Sequence, residues 1–225
     1  CDKVFVTLTE GSENTLENTG TFINTDENNV DGAVFSKQDL TFNGSGSLTV
    51  NSSSAHGIVC KDDLVFTGGK YTVSSAGHAL EANDSVRIKD AAFTLASGKD
   101  GIHCENDENT EKGFVYIKNS DITITSKEDG IQAESAVIAD GDSKISIISG
   151  GGYTENTESH NDIFGGGKGF GGGKFNRNEL QQESENTESQ ISAKGIKAKG
   201  YINIEGGDFE INSCDDTIHS NYNVN

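Results

Sequence analysis

Apolar and polar residues alternate along short stretches of this chain, as in Val115 with Ile117, Ile122 with Ile124 and Phe209 with Ile211. A period of two marks strands that bury one face. A second, longer period is superimposed. An acidic or small residue, a small residue, an aliphatic residue, any residue and another small residue recur in that order. The clearest copies are Asp100-Gly101-Ile102-His103-Cys104, Asp129-Gly130-Ile131-Gln132-Ala133, Lys194-Gly195-Ile196-Lys197-Ala198 and Asp216-Thr217-Ile218-His219-Ser220. Looser ones begin at Gly32, His56 and His78. The aliphatic position runs Val34, Ile58, Leu80, Ile102, Ile131, Ile196, Ile218, at spacings of 24, 22, 22, 29, 65 and 22 residues.

Two further apolar ladders keep nearly the same spacing. One passes through Leu40, Leu64, Val86, Val115, Val137 and Ile202, the other through Leu48, Tyr71, Phe93, Ile122, Ile145 and Phe209. Each unit of about 22 residues therefore carries three short strands, and stacking such triangles about 4.8 Å apart pairs every strand with its copies above and below. The expected fold is all-β, a right-handed parallel β-helix of about seven coils, with Gly-Gly and Asn-Gly corners as turns. Leucine-rich repeats have a similar period but need helical segments and a leucine signature, and neither is present. Residues 1–225 read as one such domain, a processed fragment without its native ends. Two excursions interrupt it: an acidic loop at 106–112, between first and second strands, and a Gly/Ser/Glu/Asn-rich loop at 150–191. The second adds 43 residues to the period, or 21 if it hides a coil. Its Phe164, Phe170 and Phe175 are expected to anchor loosely on the helix side, with ligand contact as the alternative.

Composition separates this reading from disorder and narrows the partners. Hydrophobic residues make up 32% of the chain, glycine numbers 28, and proline, methionine and tryptophan are absent. Such a composition suits repetition rather than a core of long helices. A net charge of −19 opposes binding to nucleic acid or to an anionic membrane surface, and favours divalent cations. Only Arg87 and Arg177 could grip an anion as guanidinium groups. No signal peptide, membrane-spanning run or lipidation motif is evident. Cys1 as a lipid-bearing residue is disfavoured because a strand follows it without a tether.

Cys60 and Cys104 share a small inward position two coils apart. That is about 10 Å at the strand spacing, beyond the roughly 7 Å that a disulfide spans, so both are expected as free core thiols. Among the histidines, His103 and His219 fall on outward strand positions, and His56 and His78 replace acids at a corner, with no zinc spacing along the chain. The carboxylates form two columns. Asp31, Asp100, Glu128, Asp129, Asp215 and Asp216 stand before the first strand; Asp62, Asp63, Asp84, Glu105, Asn106 and Asp107 follow it. Stacked like charges repel unless a cation sits among them, and oxygen ligands of this kind suit calcium.

The succession Ala33–Leu40, Cys60–Leu64, Asp84–Asp90, Lys112–Ile117 and Ser192–Ala198 resembles the clostridial carbohydrate-binding domain family over nearly the whole chain. The resemblance implies a calcium-carrying, pectate-lyase-type β-helix at the cell surface that binds cellulose or polygalacturonate without cleaving it. It further implies calcium ligands at Asp100, Glu105, Asn106, Asp107, Glu128, Asp129 and Asp216. His56, His78 and Lys194 depart from the acidic pattern and put a metal in their coils in doubt.

The expected function is thus a non-catalytic, extracellular bacterial polysaccharide-binding protein. Calcium in its corners would bridge to uronate carboxylates. Without tryptophan, Tyr71, Tyr116, Tyr153 and Tyr201 are lesser stacking candidates. A polysaccharide lyase needs a base beside the metal, for which Lys99, Lys127 and Lys194 are the adjacent lysines. A third reading is a structural fibre, since an unpaired β-helix end can stack on another copy.

Overall fold

The computed structural model describes residues 2–23, 30–152 and 192–225. These residues form three parallel sheets of seven strands each, a parallel β-helix. Sheet 1 holds Gly32–Ser36, His56–Cys60, Leu80–Ala82, Ile102–Cys104, Ile131–Ala133, Ile196–Ala198 and Ile218–Ser220. Sheet 2 holds Lys3–Leu8, Asp39–Gly44, Asp63–Thr67, Ser85–Lys89, Phe114–Lys118, Ala136–Asp140 and Tyr201–Ile204. Sheet 3 holds Glu13–Asn18, Ser47–Ser52, Lys70–Ser75, Ala92–Ser97, Asp121–Ser126, Lys144–Ser149 and Asp208–Ser213. No helix among the described residues is long and apolar enough to cross a membrane.

All three apolar ladders lie in register. Val34, Ile58, Leu80, Ile102, Ile131, Ile196 and Ile218 are successive partners in sheet 1. Ile131 pairs directly with Ile196, so the spacing of 65 is one coil plus an excursion of 43 residues, and no coil is hidden in it. Residues 153–191 of that excursion, with Tyr153, His160, Phe164, Phe170, Phe175 and Arg177, lie outside the described residues, as does Cys1. The shorter insertion falls between Ile102–Cys104 and Phe114–Lys118, where the sequence places it.

The triangular interior is filled from all three sheets. Phe42 stacks on Phe66 and Tyr71 on Phe93, with centroids 5.1 and 4.7 Å apart. Tyr71 is therefore a core residue, and its hydroxyl donates to the Gly68 carbonyl. Cys60 and Cys104 are buried free thiols, as the small inward position implies. Burial pushes Cys60 up to about 11 and raises Cys104 further. The corner from sheet 2 to sheet 3 has at least one left-handed residue in every coil, with Gly11 and Gly207 in the two end coils and Gly69 as a second one beside Gly68. Gly44, Gly68 and Gly141 supply it in three coils, Asp90 and Asn119 in two. Asp and Asn are the side chains that tolerate this conformation best.

Candidate metal corners and ligand face

The corner from sheet 3 to sheet 1 is shaped by serine. Ser75, Ser97, Ser126 and Ser213 close their strands, and each hydroxyl donates to the carbonyl two residues on, at 2.8 to 3.0 Å. The turn delivers one polar side chain per coil to a column, and in four successive coils, from His56 to Asp129, that side chain accepts the main-chain N–H of its counterpart in the next coil. His78 N–H donates to His56 Nδ1 (3.0 Å), Asp100 N–H to His78 Nδ1 (3.1 Å), Asp129 N–H to Asp100 Oδ1 (2.8 Å) and Lys194 N–H to Asp129 Oδ1 (2.7 Å). The second oxygens are also engaged. Asp100 Oδ2 accepts from His103 Nδ1 at 2.7 Å and Asp129 Oδ2 from Lys197 Nζ at 3.0 Å. Asp100 and Asp129 do stack, but amide, imidazole and ammonium donors stand where repulsion was expected. Glu128 is exposed beside the column, as is Asp216, which is bonded to His219 at 2.9 Å.

Histidine does more here than replace acids. The rings of His56, His78 and His103 stack, with centroids 5.0 and 4.3 Å apart. Buried Glu81 lies among them, its Oε2 3.1 Å from His56 Nδ1 and its Oε1 2.9 Å from Lys61 Nζ. Burial, helped by the neighbouring imidazoles, pushes His78 down to about 2. Burial also works to lower His103, but its bond to Asp100 outweighs this and leaves it raised. Among the described residues, the trios of His, Cys, Asp and Glu whose donor atoms all lie within 4.8 Å are His56/His78/Glu81 and His78/Asp100/His103. No three of the expected carboxylate ligands converge in this way. Glu81 and the histidines escape a search for metal spacing along the chain because stacking, at separations of 22 residues, brings them together.

At the corner from sheet 1 to sheet 2 the Asp62 carboxyl meets that of Asp84. The contact, then burial, then the charges of Asp39, Asp84 and Asp63 push Asp62 up to about 6. Asp84 is buried, which would raise it, yet Lys112, Asp62 and Asn106 hold it below the usual range. Asn106 Nδ2 donates to Asp84 Oδ1 at 2.9 Å, while its own Oδ1 accepts the N–H groups of Glu108 and Asn109. The 106–112 insertion thereby folds back and sets the Lys112 ammonium on Asp84. Glu105 and Asp107 are exposed, Glu105 bonded to Lys61 at 3.3 Å.

Sheet 3 presents a different surface. Its central outward row runs Thr15, Thr49, Thr72, Thr94, Thr123, Ser146, Glu210 as successive register partners. Six hydroxyls in line, without a charge among them, cross a molecule of net charge −19. A shallow concavity of about 420 Å³ opens at one end, lined by Asp121, Thr123, Lys144, Ser146, Asp208 and Glu210 among others. The lysines that could act as a base are poorly suited. Lys194 is bound to Asp215 and Ser192 at 2.7 Å each, and the Asp215 carboxylate raises its pKa. Lys99 and Lys127 are exposed.

Three comparisons bear on these features. The family model of carbohydrate-binding domain-containing proteins matches residues 1–225. A carbohydrate-binding domain-containing protein of Acetivibrio thermocellus is 35% identical over 149 residues, which is 65% of this chain and 52% of the relative. The chain thus spans about half the length of that curated relative. A solved structure described as the polysaccharide lyase-like protein from C. thermocellum, a gadolinium derivative, is 34% identical, with a TM-score of 0.60. That match covers 66% of this chain and 60% of the other.

Proposed function

The chain belongs to the carbohydrate-binding domain-containing family, and from that premise we propose that it binds an extended polysaccharide across the threonine face of sheet 3 without cleaving it. The observation that carries this reading is the unbroken hydroxyl row from Thr15 to Ser146. A hydroxyl every strand, about 4.8 Å apart, offers donors and acceptors at a repeat comparable to one sugar unit. The ligand would lie along the helix axis.

Calcium suits the second corner better than the first. At the first, the oxygens of Asp100 and Asp129 are occupied by nitrogen donors. At the second, the Asp62–Asp84 contact sets two carboxyls together, a repulsion that a divalent cation relieves with oxygen ligands. Asp62 and Asp84 would hold the ion, with the Lys112 ammonium and the Asn106 amide N–H displaced from the two Asp84 oxygens, and with Asn106 as a ligand only if its own oxygen left the N–H groups of Glu108 and Asn109. Bound calcium would supply a positive charge through which an acidic glycan such as pectin could approach an acidic protein. We place the protein outside the cell, where such glycans occur.

The test is retention on cellulose and on polygalacturonate, with calcium or with EDTA, while the flow-through is assayed for unsaturated uronate. Retention without new absorbance is expected, weakened about tenfold or more by Thr94→Glu with Thr123→Glu. Loss with EDTA on polygalacturonate alone would support the calcium bridge. Retention unmoved by the double variant would dismiss the threonine face, and unsaturated product would make the protein a lyase.

A further inference from the structure

The imidazoles at the first corner make it unsuited to calcium and suited to something else. His78 Nδ1 accepts the main-chain N–H of Asp100, so its ring proton is on Nε2. Yet the Asp100 Oδ2 oxygen lies 3.3 Å from that same nitrogen. With its one lone pair taken up by that N–H, the nitrogen offers the oxygen no hydrogen, and two electron-rich atoms stand close together. The same contact recurs one coil earlier, where His56 Nδ1 accepts the His78 N–H and faces Glu81 Oε2 at 3.1 Å. His78, Glu81 and Asp100 are all buried, at 7, 5 and 3% exposure, so water screens little of this repulsion. A cation bound at such a pair converts its contact from repulsive to attractive.

Donor chemistry selects which cation. Zinc binds imidazole nitrogen and carboxylate oxygen at about 2.0–2.2 Å, and a tetrahedral arrangement then sets ligand atoms roughly 3.3 Å apart. His78 Nδ1 and Asp100 Oδ2 already have that separation. His103 Nδ1, 2.7 Å from the same oxygen, is a hydrogen bond wide and would open by about half an ångström. Two imidazoles and one carboxylate form a set that borderline transition metals favour over calcium, which seeks six to eight oxygens.

We propose that His78, Asp100 and His103 form a binding site for a divalent transition metal ion of the zinc class, with Glu81 as the adjoining carboxylate. The ion replaces the proton between His103 Nδ1 and Asp100 Oδ2, and that proton leaves to solvent. It also takes His78 Nδ1 in exchange for the 3.1 Å bond from Asp100 N–H, the longest in the column. The molecule carries its own control. Asp216 and His219 repeat the Asp100–His103 pair at 2.9 Å, but Asp216 is exposed and His219 half-buried, and among the described residues no such trio of donors includes them.

The experiment uses the full chain without a histidine tag, stripped by chelator and titrated with Co(II), whose visible absorption reports tetrahedral nitrogen and oxygen ligation. Zinc and calcium are then added as competitors. One Co(II) per chain is expected, displaced by zinc and unmoved by millimolar calcium. His103→Gln should weaken binding at least about tenfold, and it should fold, because Gln132 occupies the same row in the next coil. His219→Gln should leave binding unchanged. Absence of visible bands, displacement by calcium as readily as by zinc, or equal losses from the two variants would each overturn the site.

Discussion

At the corner before sheet 1, a side chain must accept the N–H of the coil that follows. Aspartate does so through Oδ1 and histidine through Nδ1 at equivalent positions, as Asp100 and His78 demonstrate. His78→Asn keeps an acceptor and should cost little, whereas His78→Leu strands the buried Asp100 N–H. An unmet buried donor costs about 1–3 kcal/mol, which urea denaturation in EDTA would measure. Acid should separate wild type from His78→Asn as well. Folded His78 stays neutral to about 2, while an unfolded imidazole takes up its proton near 6.5. The unfolded state therefore binds more protons below that pH. This stability is present above about 6.5 and falls as pH drops, with a slope approaching 1.4 kcal/mol per unit. Subtracting the His78→Asn curve isolates it, and parallel curves would show that His78 is not held neutral.

Among elements, what the inward side chains dictate differs from what the corners do. Phe66 stacks on Phe42 and meets Tyr71 and Phe93 edge-on at 4.9 and 5.0 Å, so it joins neighbouring coils as well as two sheets. Phe66→Ala should cost about 3–5 kcal/mol, and Phe66→Leu under about half of that, by thermal or urea melting. Equal costs would mean that ring packing does not matter there. This inward order was legible because burial tolerates only apolar side chains at one spacing, which fixed the strands and their partners from Val34 to Ile218. The corners were legible only as polar positions. Whether Asp129 faces a cation, an amide or the Lys197 ammonium depends on which group the next coil sets above it, and residue type alone does not say. The same holds for Glu81, which as a lone outward acid gave no signal until His103 and His56 stood beside it. The threonine row was missed for the opposite reason: outward threonines are common in strands, and only register aligns Thr49, Thr72, Thr94 and Thr123.

For the whole molecule, stability runs along the stack, since each coil bonds only to the coils above and below it. The side chains of Lys3–Leu8 and Glu13–Asn18 are mostly exposed and Ile218–Ser220 is half-buried, while Ile88, Ile102, Ile117 and Ile131 are fully enclosed. Amide exchange should accordingly be fastest in those three strands and slowest in the middle coils. The two proposed cation sites act on that same middle. Asp62 with Asp84 joins one pair of successive coils, and His78 with Asp100 joins the next pair. An ion that binds only the folded state at a hundredfold excess over its Kd adds about 2.7 kcal/mol, which is about a hundredfold in exchange through opening of those coils. Zinc should therefore slow exchange most around Leu80 and Ile102, calcium most around Leu64 and Val86, and neither much at Lys3–Leu8 or Ile218–Ser220. Uniform slowing throughout would mean that the stack opens all at once, and no slowing at either place would leave the corners as hydrogen-bonded turns without ions.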